Sequence, residues 1–370
     1  MERSATSPSS VSLVRVTGAC WGGASPTHPR RGPSPGLGGR LAVSQPHRSV
    51  LMPDYSIFGN CLRSEIAFPE LRRIASAAPR WRLHVSYQQQ ALDHAEVLGT
   101  DDLGDGSEVR LYKFTGGYRL EYDDHAGAFE VSADGREITW FPGPNPNEEM
   151  VRLHVVGRVL ATALHAAGMF CLHGSGVVLE GGAIAFVAPR FWGKSTLAMA
   201  LTKAGARLLS DDTLAIDPDA VPLKLWPGVH SVRLWGDSAE KITGEDPAGG
   251  AAPFEIKRTL AGLPERLLAC SPVPLSAIYL LAPRQGDGRV VNRAPVAPVP
   301  AALSLIAHAK IGALLGKSEA PRVFDQAVRV ASRVAVYRLD LPRDFERVGD
   351  VVAQLAMWHD GAADREAQTL

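Results

Sequence analysis

The chain has 370 residues, a hydrophobic fraction of 45%, and 39 basic against 39 acidic residues. A chain of this length and apolar content can bury one large core or two ordinary ones. The balanced charge gives no reason to expect nucleic acid or a membrane as a partner. The four cysteines lie far apart and lack metal-binding or disulfide spacing, so we expect a cytoplasmic protein.

Residues 1–52 differ in composition from the rest of the chain. They are rich in Ser, Pro, Gly and Arg, and Glu2 is the only acidic residue before Asp54. Such a segment buries too little apolar surface to offset its ordering entropy, so we expect it to be disordered. The composition favours a second explanation, in which translation begins at Met52 and the preceding segment is an artefact of the gene assignment.

Residues 53–146 are predicted to form a small, mostly antiparallel β-rich region. Short runs of strand-forming residues alternate with turns that contain Gly, Asp and Asn. The predicted strands are Trp81–Tyr87, Val109–Phe114, Tyr118–Tyr122, Ala128–Ser132 and Glu137–Phe141. Gly116 and Gly117 join two of these runs as a hairpin turn.

A helix is predicted after Asn147, which can cap it, with Glu148 and Glu149 in its first turn. Its apolar positions recur at helical spacing, and Gly168 provides a stop. These apolar positions are Val156, Val159, Leu160, Ala163, Leu164 and Ala167. We interpret this helix as a packing element.

Residues 147–370 are predicted to form an α/β domain. The predicted strands are Gly176–Leu179, Ala183–Val187, Ala206–Leu209, Thr213–Ile216, Ser231–Leu234, Ala277–Leu281 and Val334–Leu339. The predicted helices are Ser195–Ala204, Ala301–Leu315 and Asp344–Met357. The Pro-rich stretch Ala294–Pro300 is predicted to be a connector.

The clearest functional motif is a strand, a loop and a Gly-Lys-Ser-Thr sequence that opens a helix. Its residues are Ala188, Pro189, Arg190, Phe191, Trp192, Gly193, Lys194, Ser195 and Thr196. This context is typical of a phosphate-binding loop, because backbone N–H groups and the helix dipole point at an anion. Lys194 is expected to bind the outer phosphates of ATP, and Ser195 to offer its hydroxyl to Mg²⁺.

The loop departs from the usual G-x-x-x-x-G-K-[ST] pattern in two respects. Ala188 replaces the first glycine, which is compatible with the loop if its φ is negative. Phe191 and Trp192 are bulky for a loop that wraps phosphate, so both rings must point away from the nucleotide. The alternative interpretation is a chance Gly-Lys-Ser-Thr at the start of a helix.

Two further segments carry candidate site residues. Asp211 and Asp212 follow a short strand after the loop helix, where paired carboxylates can divide metal binding and proton acceptance between them. The alternative for this pair is a turn or helix cap. His173 precedes a strand predicted to neighbour the loop strand, and its sequence position fits a catalytic or a structural role equally.

In order and spacing, His173-Gly174-Ser175, the Gly193–Thr196 motif and Arg207–Asp212 resemble the catalytic domain of HPr serine kinase/phosphorylase. The similarity is greater to related kinases of biosynthetic clusters, including those that phosphorylate lasso peptides. The start Tyr55–Gly59, with Arg63–Ile66 and Pro69–Leu71, is similar to the opening of those kinase-like proteins.

The resemblance implies a P-loop kinase domain of the HPr kinase/PEP carboxykinase-like type over residues 147–370. It implies ATP and Mg²⁺ as cofactors and a serine hydroxyl as acceptor, with a peptide, a protein or a small metabolite as the substrate. It places His173, Lys194, Ser195, Asp211 and Asp212 in the active site, with Ser195, Asp211 and Asp212 near the metal. It also permits a homo-oligomer.

Other features leave alternatives open. The Glu-Ile-Arg-Gly signature used in phosphorolysis has no clear equivalent, and Val232–Trp235 lacks the acid, so phosphorylase activity is not supported. Lys257 and Arg258 could reach the γ-phosphate or form a solvated surface pair. Trp226 and Trp235 fit core packing better than an acceptor groove. An inactive nucleotide-binding protein with a degenerate loop is the competing function, and a scaffold that binds no nucleotide is a third.

Overall fold

The computed structural model describes residues 52–75, 77–92, 94–103, 106–230, 232–235, 257–260, 263–284, 291–342 and 344–360. Side chains are described in these ranges except at 233–235, 257–260 and 283–284. Every described residue belongs to one compact unit, Leu51–Leu370. Residues 1–51, for which we predict disorder or a later start of translation, lie outside the described residues.

The first sheet contains eight strands, all before residue 143. They are β1 (Asp54–Ile57), β2 (Asn60–Ser64), β3 (Trp81–Val85), β4 (Glu96–Asp102), β5 (Glu108–Phe114), β6 (Gly117–Tyr122), β7 (Gly127–Ser132) and β8 (Glu137–Pro142). Their order is β1-β2-β3-β8-β7-β6-β5-β4. Only the β2–β3 and β3–β8 pairs in this order are parallel, so the predicted mostly antiparallel character is confirmed.

All five strands predicted for this region are present, and the hairpin turn at Gly116 and Gly117 joins β5 to β6. The sequence reasoning missed β1, β2 and β4. Strand β4 lies at the edge of the sheet and carries Gly99 and two terminal aspartates, residues that strands disfavour. Strands β1 and β2 are short, and they form a tight hairpin across Phe58 and Gly59.

The predicted helix after Asn147 is confirmed, with a change of pitch in its middle. The Asn147 side chain accepts hydrogen bonds from the N–H groups of Glu149 and Met150. The helix runs as α1 (Glu148–His154), a π-helical turn (Val155–Val159) and α2 (Leu160–Ala166). Gly168 has φ of 93°, the left-handed conformation that terminates helices.

The second sheet is mixed and contains nine strands in the described part of the chain. They are β9 (Phe170–Leu172), β10 (Gly174–Leu179), β11 (Gly182–Val187), β12 (Arg207–Ser210), β13 (Leu214–Ile216), β14 (Lys224–Trp226), β17 (Val273–Arg284), β18 (Asn292–Pro295) and β19 (Ala335–Pro342). Between β14 and β17, β15 (Val232–Trp235) and β16 (Lys257–Leu260) form a separate two-stranded sheet. All seven strands predicted here are present.

Helices cover both faces of the second sheet, which gives three layers. They are α3 (Lys194–Lys203), α4 (Pro298–Ala307), α5 (Ala320–Ala331) and α6 (Val348–Trp358), with 3-10 turns at Glu265–Leu267 and Phe345–Arg347. In β11, Ile184 and Phe186 share a core cluster with α3 and α6, whereas Ala185 and Val187 share one with α4 and α5. A strand that is buried on both faces has a continuous apolar sequence, as β11 does.

No helix in the described ranges combines the length and apolar character needed to cross a bilayer. The fold is therefore a mixed α/β arrangement of two large sheets and a few helices.

Two sequence predictions in the C-terminal part are wrong in detail, and one helix was not predicted. The stretch Ala294–Pro300 is not a connector, because it contributes to β18 and opens α4 with Pro298, whose missing N–H costs nothing in a first turn. Helix α4 ends at Ala307 instead of Leu315, since Ala309 makes a β-bridge with Leu172. Helix α5 was not predicted, although Val323, Ala327 and Val330 recur at helical spacing.

The first sheet is bound tightly to the segment that joins α4 and α5. A Cβ placed on Gly99 of β4 would lie 2.7 Å from the carbonyl oxygen of Ala313, and one on Gly316 would lie 2.4 Å from that of Leu98. The backbones approach so closely that only glycine fits at either position. Leu314 is fully buried in the same core as the first sheet.

Glu319, at the start of α5, connects both parts of the molecule through a buried charge. Its carboxylate accepts hydrogen bonds from Lys113 Nζ at 2.6 Å and from Tyr118 Oη at 3.4 Å, and it lies 3.2 Å from His165 Nε2. The hydrogen bond from His165, followed by that from Lys113, outweighs burial and lowers the pKa of Glu319 to about 2. This carboxylate is therefore ionised throughout the physiological range.

Replacing Glu319 with glutamine is expected to lower the free energy of unfolding at pH 7 by about 1–3 kcal/mol, because the hydrogen bonds that the buried carboxylate accepts from Lys113 and His165 lose their charged acceptor. The folded pKa is depressed from 4.5, so the stabilisation is present above pH 4.5 and disappears as the pH falls towards 2. Urea unfolding of both proteins between pH 7 and pH 3 measures the difference.

Asp325→Asn is the matched control, because Asp325 forms an exposed ion pair with Arg329 on the same helix. Pairs of this kind contribute about 0.2–1 kcal/mol. A Glu319→Gln protein as stable as the control at pH 7 would contradict the assigned role of Glu319.

Candidate nucleotide-binding site

The pairing of β10 with two neighbours brings the predicted site segments to one end of the sheet. Strand β10 is antiparallel to β11, with Gly174 opposite Val187, and also antiparallel to β12, with Gly176 opposite Ser210. The start of β10 therefore lies beside the ends of β11 and β12. This arrangement brings together His173, the loop after β11 and the acidic pair after β12.

The loop after β11 leads directly into the N-terminus of α3. Ala188 is buried in the core below the loop and is absent from the described residues with positive φ, so the conformational condition for an alanine is met. Gly193 has φ of 80° and caps α3. The first helical bond runs from Leu197 N–H to the Gly193 carbonyl, so the preceding amides have no partner within the helix and face the loop end.

Lys194 is buried beneath this loop, with 7% of its surface exposed. Its ammonium donates hydrogen bonds to the carbonyl oxygens of Ala188 at 2.9 Å and Pro189 at 3.0 Å. The charge therefore lies inside the curve of the loop, where the N-terminus of α3 adds to the positive potential. Thr196 is half-buried in the first turn of the helix.

The two aromatic side chains of the loop point to the surface. Phe191 is 65% exposed and Trp192 is 39% exposed, while Pro189 and Arg190 are also exposed. Phe191 has φ of 68°, a left-handed conformation that strains a residue with a side chain. The backbone here has the conformation that a glycine would adopt without strain.

Asp211 is buried and accepts hydrogen bonds from two serine hydroxyls on different elements. Ser175 Oγ, at the start of β10, lies 2.5 Å from Asp211 Oδ1, and Ser195 Oγ, in the first turn of α3, lies 2.9 Å from the same atom. The end of β12, just before Asp211, is closely packed, because a Cβ on Gly228 would lie 2.0 Å from the hydroxyl oxygen of Ser210. Asp211 is thus held at the head of α3.

Asp212 lies next to it in a different environment. Its side chain is 49% exposed, and its φ of 73° is one that Asp tolerates better than most residues. Lys310 Nζ donates to Oδ2 at 2.6 Å, and His173 Nδ1 lies 3.3 Å from Oδ1. The structure therefore brings His173 and the acidic pair together, and it adds Lys310.

Charges around Asp212 shift several pKa values. Burial would raise the pKa of Asp212, but Lys310 and His173 lower it well below the usual range. Half of this side chain is exposed, so burial counts for less than the charge of Lys310 and the hydrogen bond from His173. Burial lowers the pKa of His173 against the opposing bond to Asp212, and burial followed by the charge of Lys194 lowers that of His308. Both imidazoles are neutral at pH 7.

The donor set at the head of α3 fits a magnesium ion. Ser195 Oγ and the Asp211 carboxylate are hard oxygen donors within 2.9 Å of each other. Magnesium binds through one or two carboxylates, waters and substrate phosphates, so few protein ligands are required.

Sequence reasoning missed three residues of this site. Lys310, His308 and Ser175 approach the acidic pair or His173 only through the tertiary fold, and no spacing along the chain connects them. Ser175 alone had a local signal, because it follows His173 in the strand that neighbours β11. Trp226 packs against the first core, as predicted. The side chains of Lys257, Arg258 and Trp235 lie outside the described residues.

No protein-family model matches the chain, and no curated protein does. Among solved structures, the chain is similar to the HPr(Ser) kinase/phosphatase from Coxiella burnetii, with 11% identity over 54% of this chain and 97% of that one and a TM-score of 0.28. A likeness with a TM-score this low supports no conclusion about function.

Replacing Phe191 with glycine is expected to leave the free energy of unfolding unchanged or to raise it by up to about 1 kcal/mol. Relief of left-handed strain, about 1–2 kcal/mol, offsets the extra entropy of an unfolded glycine. The exposed ring contributes little packing. Thermal and urea unfolding measure the change.

Trp192→Gly is the matched control, because the neighbouring residue is not among those with positive φ. It is expected to lose stability, since glycine there gains nothing from strain relief. A Phe191→Gly protein that is less stable than Trp192→Gly would contradict this account of the loop.

Proposed function

We propose that this protein is an ATP-dependent kinase that transfers the γ-phosphoryl group of Mg-ATP to a hydroxyl group, as the HPr kinase-like enzymes do. The acceptor class is a serine of a peptide or protein, or a hydroxylated small metabolite. The proposal includes a P-loop kinase domain of the HPr kinase/PEP carboxykinase-like type, with the site at residues 188–196, 173 and 211–212.

One observation carries the proposal. The Ser195 hydroxyl in the first turn of α3 lies 2.9 Å from the buried carboxylate of Asp211, while Lys194, the preceding residue, is folded beneath the loop. A cation, a hydroxyl and a carboxylate thus meet at a helix N-terminus. Those are the groups needed to bind a polyphosphate together with a magnesium ion.

The surroundings of the two aspartates support a division of roles. Asp211 is buried and fixed by Ser175 and Ser195, which suits a metal ligand. Asp212 is half-exposed and faces His173 and Lys310, which suits a group that meets the acceptor. Magnesium, when bound, would neutralise charge on the β- and γ-phosphates.

The reaction is a direct displacement. The acceptor oxygen forms a bond to the γ-phosphorus, the bond from that phosphorus to the β–γ bridging oxygen breaks, and ADP leaves with the electron pair. The hydroxyl proton passes to the Asp212 carboxylate. Lys194 and the amides at the head of α3 hold the phosphate oxygens, so catalysis rests on positioning and charge stabilisation.

A nucleotide-binding protein without transfer activity is the second candidate. The observation that favours it is the loop itself, in which Ala188 replaces glycine and Phe191 holds a strained conformation. Saturable binding of Mg-ATP without transfer to any acceptor would support this candidate over the kinase.

Lys194→Met is expected to abolish Mg-ATP binding, because it removes the buried cation that pairs with the phosphates. Calorimetric titration with Mg-ATP measures the affinity, and γ-labelled ATP with an array of serine-containing peptides measures transfer. Lys203→Met is the control, since Lys203 is an exposed lysine in the last turn of the same helix. Equal binding by the wild-type and Lys194→Met proteins would refute the phosphate-binding site.

Asp212→Asn is expected to reduce transfer by roughly 10²–10⁴-fold while Mg-ATP still binds, because the proton acceptor is lost and asparagine keeps the left-handed turn. Rates of labelled phosphate incorporation at saturating ATP measure this effect. An Asp212→Asn protein that transfers phosphate at the wild-type rate would show that another group accepts the proton.

A further inference from the structure

Lys310 is held beside the site by backbone pairing as well as by its side chain. Its N–H donates to the carbonyl of Cys171 at 2.8 Å, and the N–H of His173 donates to the carbonyl of His308 at 2.8 Å. Leu172 and Ala309 form the β-bridge between these bonds. Residues 308–310 therefore lie beside β9 like a short strand, which holds the backbone of Lys310 next to that of His173.

The side chain of Lys310 extends from this strand to Asp212. Only 10% of it is exposed, and its ammonium lies 2.6 Å from Asp212 Oδ2. A charge in this position is shielded little by solvent, so it acts strongly on its neighbours. Together with burial, the charges of Lys310 and Lys194 lower the pKa of His173. His173 Nδ1 lies 3.3 Å from Asp212 Oδ1, so the imidazole and the Lys310 ammonium bind the two oxygens of one carboxylate.

The ion pair restrains the proposed proton acceptor. The Lys310 ammonium lies 2.6 Å from Asp212 Oδ2 and His173 Nδ1 lies 3.3 Å from Oδ1, so an acceptor hydroxyl that approaches this carboxylate competes with both partners. A displaced ammonium in this confined place needs another anion. The transferring phosphoryl group, which lies between the head of α3 and the acceptor in the proposed reaction, supplies one.

We propose that Lys310 is a second phosphoryl-binding cation of this site, which leaves Asp212 for the oxygens of the γ-phosphoryl group as that group moves to the acceptor. This inference rests on the proposed function. Lys194 binds the nucleotide before and after the reaction, whereas Lys310 binds mainly during transfer. An ammonium on a flexible stem, with three donors, can exchange a carboxylate for phosphoryl oxygens in this way.

The test compares binding of Mg-ADP alone with binding of Mg-ADP plus fluoroaluminate, a mimic of the phosphoryl group in transfer. The wild-type protein is expected to bind Mg-ADP and to bind it more tightly with fluoroaluminate. Lys310→Met is expected to weaken the fluoroaluminate complex by roughly 10²-fold and to leave the affinity for Mg-ADP unchanged. Lys310→Arg, which keeps the charge, is expected to restore part of the loss.

Lys317→Met is the matched control, because Lys317 is an exposed lysine in the same connecting segment. Lys310→Gln replaces the methionine variant if that variant melts below the assay temperature. The inference is overturned if Lys310→Met retains the fluoroaluminate enhancement, or if it loses Mg-ADP affinity equally, which would indicate a purely structural role. It is also overturned if the wild-type protein binds Mg-ADP without any enhancement. Failure of the wild-type protein to bind Mg-ADP at all would refute the proposed function itself.

Discussion

The pairing of β10 with two antiparallel neighbours is the constraint on which the site depends. Because β10 runs opposite to both β11 and β12, residues separated by almost forty positions, such as His173 and Asp212, meet at one sheet edge. Helix α3 begins at that edge and turns its amides toward it. A shift of register between these strands would separate Ser175 and Ser195 from their shared acceptor on Asp211.

Adjacent aspartates acquire different properties because their surroundings differ. Asp211 is buried and bonded to two serine hydroxyls, which fix its position. Asp212 is turned outward by its left-handed backbone and meets a lysine and a histidine. One carboxylate is therefore held in place within the fold, and the other can exchange partners. Chemistry that needs both a metal ligand and a proton acceptor can be built from such a pair.

Sequence patterns predicted the parts of this molecule that local interactions determine. The cap at Asn147, the strand before Ala188 and the helix from Lys194 all follow from propensity and periodicity. Contacts between distant segments were not predictable, because Lys310 reaches Asp212 only after the backbone leaves the helical path at His308. The apolar pattern continues past that point because Ile311 and Leu314 pack into the core of the first sheet, so it imitates a longer helix.

The two halves of the chain cannot be separated without loss of close contacts. Gly99 fits against the backbone of Ala313, and Lys113 donates a hydrogen bond to Glu319. A fragment that begins at residue 147 would expose Leu314. It would also leave the Glu319 carboxylate without its hydrogen bonds from Lys113 and Tyr118. Residues 147–370 are therefore unsuited to expression by themselves or to transplantation into another chain.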